Sequence, residues 1–159
     1  MSNEIQLKTT INGIEYDLTV PARLLASDFL RDNLNLTGTH VGCEHGICGS
    51  CTIKIDGLTA RSCLKFAVQL DGKKVETVES FKEKPETRNI LEKFKAHHSL
   101  QCGFCTPGFL MIIDELLKSK NKFSENEIRE ALSGNLCRCT GYENIIKAAK
   151  EILVHKGIK

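Results

Sequence analysis

The chain of 159 residues is 41% hydrophobic and 26% charged, the balance of an ordinary folded protein with room for one or two small domains. Its formal net charge of +2 is far too small to hold a polyanion by electrostatics, and no basic cluster lines one face, which argues against nucleic acid as a partner. The longest apolar run, Phe109 to Ile113, is much shorter than a membrane span, and the opening Met-Ser-Asn-Glu-Ile-Gln-Leu-Lys lacks the charged and apolar regions of a signal peptide, so the expected location is the cytoplasm.

Taken in order, Glu4 to Thr10 and Ile14 to Val20 alternate apolar and polar residues around Asn12-Gly13, which predicts a hairpin. Leu25, Phe29 and Leu30 share one face of a helix expected over Leu24 to Asn33. Thr52 to Ile55, Ala67 to Leu70 and Val75 to Val78 read as short strands, separated by turn signals at Asp56-Gly57 and Asp71-Gly72. The polar stretch Ser80 to Arg88, with Pro85 inside it, predicts a linker and a boundary near 81–86. Beyond it the period turns helical. Ile90, Leu91 and Phe94 line one segment, and Phe109, Leu110, Ile112, Ile113, Leu116 and Leu117 line the next. Ser124-Glu125-Asn126-Glu127 is a capping box opening a third helix that Gly134 ends, and Ile145, Ile146, Ala149, Ile152 and Leu153 define a fourth. The fold expected is α+β, with strand-rich residues 1–80 followed by helical residues 81–159.

Eight cysteines are many for a reducing compartment and too few for a small disulfide scaffold, so metal binding is the expected use. They fall into one quartet per half. Cys43, Cys48, Cys51 and Cys63 have the spacing C-x4-C-x2-C…C of a plant-type [2Fe-2S] ferredoxin. Gly42, Gly46 and Gly49 leave few bulky side chains between the first three and allow backbone amides to approach an anionic cluster. The second quartet is Cys102, Cys105, Cys137 and Cys139, each pair lying just before a helix. Thr106 with Pro107, and Thr140 with Glu143, are expected to cap those helices and aim free N–H groups at one anionic site. Cys137 and Cys139, two apart, need extended chain to face the same way. Structural zinc would prefer close ligand pairs in both halves of a site, which Cys63 and the C-x-C pair do not supply.

The segments Gly-Cys-Glu-His-Gly-Ile-Cys-Gly-Ser-Cys-Thr, Ser-Cys-Leu-Lys-Phe-Ala, Gln-Cys-Gly-Phe-Cys-Thr-Pro-Gly and Gly-Asn-Leu-Cys-Arg-Cys-Thr-Gly-Tyr closely resemble the small iron-sulfur subunit of the molybdenum hydroxylases, the xanthine dehydrogenase, aldehyde oxidase and carbon monoxide dehydrogenase family. The likeness runs over nearly the whole chain, in order. It implies a β-grasp ferredoxin-like domain followed by a four-helix bundle, each holding one [2Fe-2S] cluster. It further implies electron relay between molybdopterin on a large subunit and FAD on a medium subunit, in a heterotrimer or a dimer of heterotrimers, with the second cluster nearer molybdenum. By the same resemblance Gln101 contacts the pterin, and Cys139 touches it while ligating iron. Ser50 departs from the alanine usual in the first loop and is expected to be a small, tolerant surface residue. Arg138 is expected to point to solvent or a partner, and His45, His97 and His98 are expected not to be ligands. No catalytic nucleophile, acid-base pair, dinucleotide motif or phosphate loop is present. A free-standing two-cluster ferredoxin or redox sensor, and a structural double-zinc module, are the rival readings.

Overall fold

The structure is a computed structural model that describes residues 3–82 and 84–154; Met1, Ser2, Glu83 and residues 155–159, at the ends of the two expected domains and inside the expected linker, lie outside the described residues. β1 (Glu4–Ile11) and β2 (Ile14–Pro21) pair antiparallel with Ile11 opposite Ile14. Asn12 and Gly13 both take positive φ, 51° and 84°, as a two-residue hairpin turn requires. α1 (Ala26–Asp28) continues as a wider π-helical turn over Phe29–Asn33 rather than as the regular helix expected. Leu34 N–H reaches back to the Phe29 carbonyl (3.2 Å), which sets the wider turn, and Phe29 and Leu30 remain fully buried.

β3 (Thr52–Ile55) and β4 (Leu58–Arg61) form a second hairpin across Asp56-Gly57; β4 carries too little apolar alternation to register in the sequence. Ala67–Leu70, expected as a strand, is a 3-10 turn. Phe66 N–H donates to Gln69 Oε1 (2.9 Å) and Gln69 N–H to the Phe66 carbonyl (3.0 Å), closing a turn that buries Ala67 and Leu70 on one face. The strand expected over Val75–Val78 shortens to β5 (Lys74–Glu76), because Ser80 Oγ and N–H both bond the Thr77 carbonyl and start another 3-10 turn. The sheet order is β2-β1-β5-β3-β4, with β1 and β5 parallel and the other neighbours antiparallel. Its core gathers Leu7, Ile11, Phe29, Leu30, Ile53 and Val75.

Four further helices, α2 (Pro85–Ala96), α3 (Thr106–Lys118), α4 (Glu125–Ser133) and α5 (Glu143–Leu153), enclose a second core that includes Phe94, Phe109, Ile113, Ile128 and Ile152. The capping box of α4 forms as expected: Glu127 N–H donates to Ser124 Oγ (3.3 Å), and Ser124 N–H donates to Glu127 Oε2 (2.7 Å). The caps expected from Thr106 and Thr140 do not form; Cys105 and Tyr142 occupy the cap positions with no side-chain cap bond. Thr106 is already the first helical residue, and its hydroxyl is buried without a partner. The expected linker is largely structured. Phe81 anchors it in the helical core, and α2 starts at Pro85, a residue whose fixed φ suits a first helical position.

The two cores meet where α3 lies against β3 and β4. Lys54 and Asp114, both with fully inaccessible side chains, pair there. Glu76 Oε1 lies 3.3 Å from the same ammonium, Lys118 Nζ lies 3.0 Å from Asp114 Oδ2, and Lys84 pairs with Glu76. Burial pushes the Glu76 carboxyl up, but Lys84, Lys54 and Lys118 outweigh it and hold the group below the ordinary glutamate range. Asp114→Ala is expected to cost about 3 kcal/mol by removing the buried partner of Lys54 and leaving it only the partly exposed Glu76, whereas Lys54→Met combined with Asp114→Leu should recover most of that loss. Urea denaturation of the two variants checks both outcomes.

Candidate metal centres

From Asn35 to Gly49 the chain has no helix or strand, and Glu44, Gly46 and Gly49 adopt positive φ (58°, 84° and 76°), so the loop curls on itself. The curl turns the backbone N–H groups of Cys48, His45 and Ile47 onto the Cys43 sulfur and brings that thiol down to about 6. Cys63 arrives on a 3-10 turn after β4. Ser62 donates to the Cys51 carbonyl through both N–H (3.2 Å) and Oγ (2.8 Å), which sets Cys63 beside Cys51. Burial, with the neighbouring Cys51 sulfur, pushes the Cys63 thiol up to about 11. The structure therefore brings the three sulfurs of the loop and that of Cys63 to one site, with Cys43 favoured as thiolate.

In the second quartet Cys102 and Cys139 lie at the surface with their sulfurs 3.5 Å apart, while Cys105 and Cys137 are buried neighbours. That separation is close to the edge of a tetrahedron built on bonds of about 2.3 Å. Burial first, and then Cys137, pushes the Cys105 thiol up to about 12. Cys137 is moved the other way. Burial opposes the shift, but the Thr140 hydroxyl and the amides of Thr140 and Cys139 outweigh it. Residues 134–142 form no helix or strand, as the C-x-C spacing requires. Among the described residues, no group of three or more histidine, cysteine, aspartate or glutamate side chains is gathered around a single ion position. The sulfurs sit instead in pairs, the arrangement that suits a binuclear centre with two thiolates per iron.

The two sites adjoin. A cavity of about 230 Å³ lies between Cys48 and Ser50 of the first loop and Cys102, Cys105, Cys137 and Cys139 of the second site. Ser50, expected at the surface, is buried with 3% exposure on the cavity it shares with residues of the second site. Leu136 N–H donates to the Cys48 carbonyl (2.9 Å), a direct link between residues flanking the two quartets. His40 stacks on Phe104 with ring centroids 4.8 Å apart, and its Nδ1 lies 2.8 Å from the Phe104 carbonyl. Gln101 is exposed and donates to the Cys139 carbonyl (3.1 Å), and Arg138 is exposed at the rim. His45 faces the Cys43 carbonyl, and His97 pairs with Glu151 on the far ends of α2 and α5.

Sequence reasoning missed Asn135, Arg61 and Tyr142. Asn135 has 1% exposure, and neither its amide nitrogen nor its oxygen has a hydrogen-bond partner. Arg61 donates to the Gly134 carbonyl (2.7 Å), and Tyr142 Oη accepts from Cys137 N–H (2.9 Å). Asn135 and Tyr142 stand inside the quoted motif, which was the available signal; Arg61 carried none.

Comparison with known proteins agrees with this geometry. A profile described as a 2Fe-2S iron-sulfur cluster binding domain matches residues 32–98, and one described as a [2Fe-2S] binding domain matches residues 77–150. The gamma subunit of caffeine dehydrogenase from Pseudomonas sp. (strain CBB1) is 51% identical over 155 residues, covering 96% of this chain and 92% of the relative. The small subunit of nicotine 6-hydroxylase from Paenarthrobacter nicotinovorans is 48% identical, covering 92% and 88%. The chain belongs to the small iron-sulfur subunits of the molybdenum hydroxylase family. The crystal structure of quinoline 2-oxidoreductase from Pseudomonas putida 86 superposes with a TM-score of 0.89 at 44% identity, over 98% of this chain and 97% of that one. As a member of the family, the subunit transfers electrons within a molybdenum-dependent oxidoreductase and does not itself carry the catalytic site. Among the described residues no helix is long and apolar enough to cross a membrane.

The first loop of the subunit depends on Gly49, where a Cβ would come within 2.0 Å of Asn135 Oδ1 and 2.6 Å of the Gly134 carbonyl. Gly57 has a similar φ, +89°, but open space around it. Gly57→Ala is expected to cost only the left-handed backbone term, about 1–2 kcal/mol. Gly49→Ala should cost distinctly more and lower the iron bound per chain, as thermal unfolding and visible absorbance of the two variants would record.

Proposed function

We propose that the subunit carries two [2Fe-2S] clusters and relays electrons between molybdopterin on a large partner subunit and FAD on a medium one. Cys43, Cys48, Cys51 and Cys63 hold the first cluster, and Cys102, Cys105, Cys137 and Cys139 the second. The observation that carries this reading is that eight cysteines distant in sequence fold into two adjoining sites, joined by the bond from Leu136 N–H to the Cys48 carbonyl. The donor sets fit. Converging amides stabilise an anionic sulfur at Cys43, and a buried hydroxyl without a protein partner sits at Thr106, next to Cys105. When bound, each cluster supplies one-electron redox chemistry.

The architecture fits the division into residues 1–80 and 81–159. A mixed five-stranded sheet with a parallel β1–β5 pair and α1 packed on it supports a β-grasp domain. Four helices around one core support a four-helix bundle. Relatives that are themselves named as subunits support larger partner subunits, and we propose a cytoplasmic heterotrimer or a dimer of heterotrimers. Caffeine, nicotine and quinoline, which name the relatives, make nitrogen heterocycles the first substrates to try on the assembled complex.

Iron and acid-labile sulfide are each expected at about four per chain, with two separable EPR signals on reduction. Cys48→Ser should change one signal and Cys105→Ser the other. Stoichiometric zinc, or loss of both signals in each folded variant, would overturn the assignment. Gln101 and Cys139 lie together at the exposed edge of the second site, which supports a pterin contact there. Gln101→Ala in the complex is expected to lower bound pterin or slow reduction of the nearer cluster while iron stays complete, as pterin analysis and stopped-flow absorbance would show.

A further inference from the structure

The Thr140 hydroxyl does not cap α5. Its oxygen lies 3.0 Å from Cys137 Sγ, and it also accepts a hydrogen bond from Tyr142 N–H at 3.2 Å. With the oxygen accepting from that amide, the hydroxyl proton is directed at the sulfur. Thr140 N–H reaches the same sulfur from 3.4 Å. Tyr142 fixes this geometry: it sits at φ 68°, its Oη accepts from Cys137 N–H (2.9 Å), and its ring meets Phe109 edge-on at 6.4 Å. The two ends of the loop from Cys137 to Tyr142 are thereby tied together around one O–H···S bond. Two hydroxyls beside the first quartet are spent otherwise, Thr52 Oγ1 on the Gly49 carbonyl (2.5 Å) and Ser62 Oγ on the Cys51 carbonyl (2.8 Å).

We propose that Thr140 is the positioning residue that raises the reduction potential of the second centre, through its hydroxyl bond to the Cys137 sulfur. The inference rests on the proposed assignment of Cys137 as an iron ligand. On reduction one electron enters the thiolate-bound centre, no bond is broken, and the added negative charge falls partly on sulfur. The O–H···S bond strengthens with that charge, and the proton stays on Oγ1. A donor to sulfur therefore favours the reduced state, which is one of the protein's recognised levers on such a potential. Amide bonds act on both centres, whereas the Thr140 hydroxyl reaches a sulfur of the second.

The test is an EPR-monitored redox titration of the assembled complex carrying Thr140→Val or Thr140→Ser, with iron and sulfide measured on the same samples. Thr140→Val keeps the shape and removes the hydroxyl. The second signal is expected to titrate at a more negative potential, its reduction about tenfold less favourable, or about 59 mV for one electron. The first signal should stay in place, and Thr140→Ser should restore the second. If Thr140→Val takes up too little iron, Thr140→Ala adds no bulk and reads the same potential. A fully loaded variant without the hydroxyl that titrates like the parent overturns the role of Thr140 alone. A parent complex lacking a second [2Fe-2S] signal overturns the cluster assignment and, with it, this proposal.

Discussion

The backbones of the first loop and of α3 approach so closely that neither Gly49 nor Gly108 has room for a side chain of its own. A Cβ on Gly108 would lie 2.3 Å from the Gly49 carbonyl oxygen and 2.5 Å from Asn135 Nδ2, and neither backbone has a flexible end that could give way. This contact fixes where the second site stands relative to the first, since Gly49 is flanked by Cys48 and Ser50, and Gly108 follows Cys105 by three residues. The remaining bonds across the junction depend on that distance. Leu136 reaches the Cys48 carbonyl, Arg61 reaches Gly134, and Thr59 N–H donates to Glu115 Oε2 (3.0 Å). Because these bonds share one interface, their contributions are coupled, and loss of one backbone contact would weaken several together.

A junction so dry would ordinarily exclude charge, yet it contains a lysine and an aspartate with no accessible side-chain surface. The cost of burying them is reduced because Lys54 also meets Glu76 and Asp114 also meets Lys118, so each ion has more than one partner of opposite sign. A buried ion pair adds little net stability over a hydrophobic pair, but a single wrong partner is heavily penalised. The physical effect is on register. Sliding α3 along β3 by one turn would break the Lys54–Asp114 pair and leave each ion only the partner on its own element, Glu76 on the sheet and Lys118 on the helix, so the network favours one docking of helix on sheet. In that docking the N-terminal end of α3, with Cys105 and Gly108, meets the first loop.

Local chemistry was the part legible in the sequence. The hairpin at Asn12-Gly13 and the capping box at Ser124 are each specified within about ten residues, and each appears as read; the loop Cys43–Cys51 curls with its amides on the Cys43 sulfur, as its glycines allow. Ala67–Leu70 misled because a four-residue apolar segment suits a strand and a 3-10 turn equally; the choice is made by the Gln69 side chain closing on Phe66. Ser50 was misplaced for a different reason. A small polar residue in a glycine-rich loop has no local signature of burial, and its cover comes from residues more than fifty positions later in the chain. Lys54 was invisible on the same grounds, since alternation predicts which face a strand residue takes but not whether a helix with an aspartate covers that face.

The exposure of the sulfurs gives the pair of sites a direction. At the second site, Cys102 and Cys139 open to the surface beside Gln101, with Phe104 46% and Leu136 50% exposed around them, while Cys105 and Cys137 turn inward. At the first, Cys51 and Cys63 are buried, Cys43 and Cys48 are partly exposed, and Ile47 in the same loop is 59% exposed. The inward pair of the second site and Cys48 of the first lie on one cavity, bridged by a single backbone hydrogen bond. Electron transfer falls off steeply with separation, so a relay works best when its two centres adjoin internally and each has an edge near a different surface. Apolar side chains at both edges suit docking, because they can exclude water on contact without leaving a charge unpaired. The close backbone contact at Gly49 and Gly108 thus does more than hold two domains together: by excluding a side chain at these two positions it keeps the internal gap short, while the outward edges remain free to meet partners.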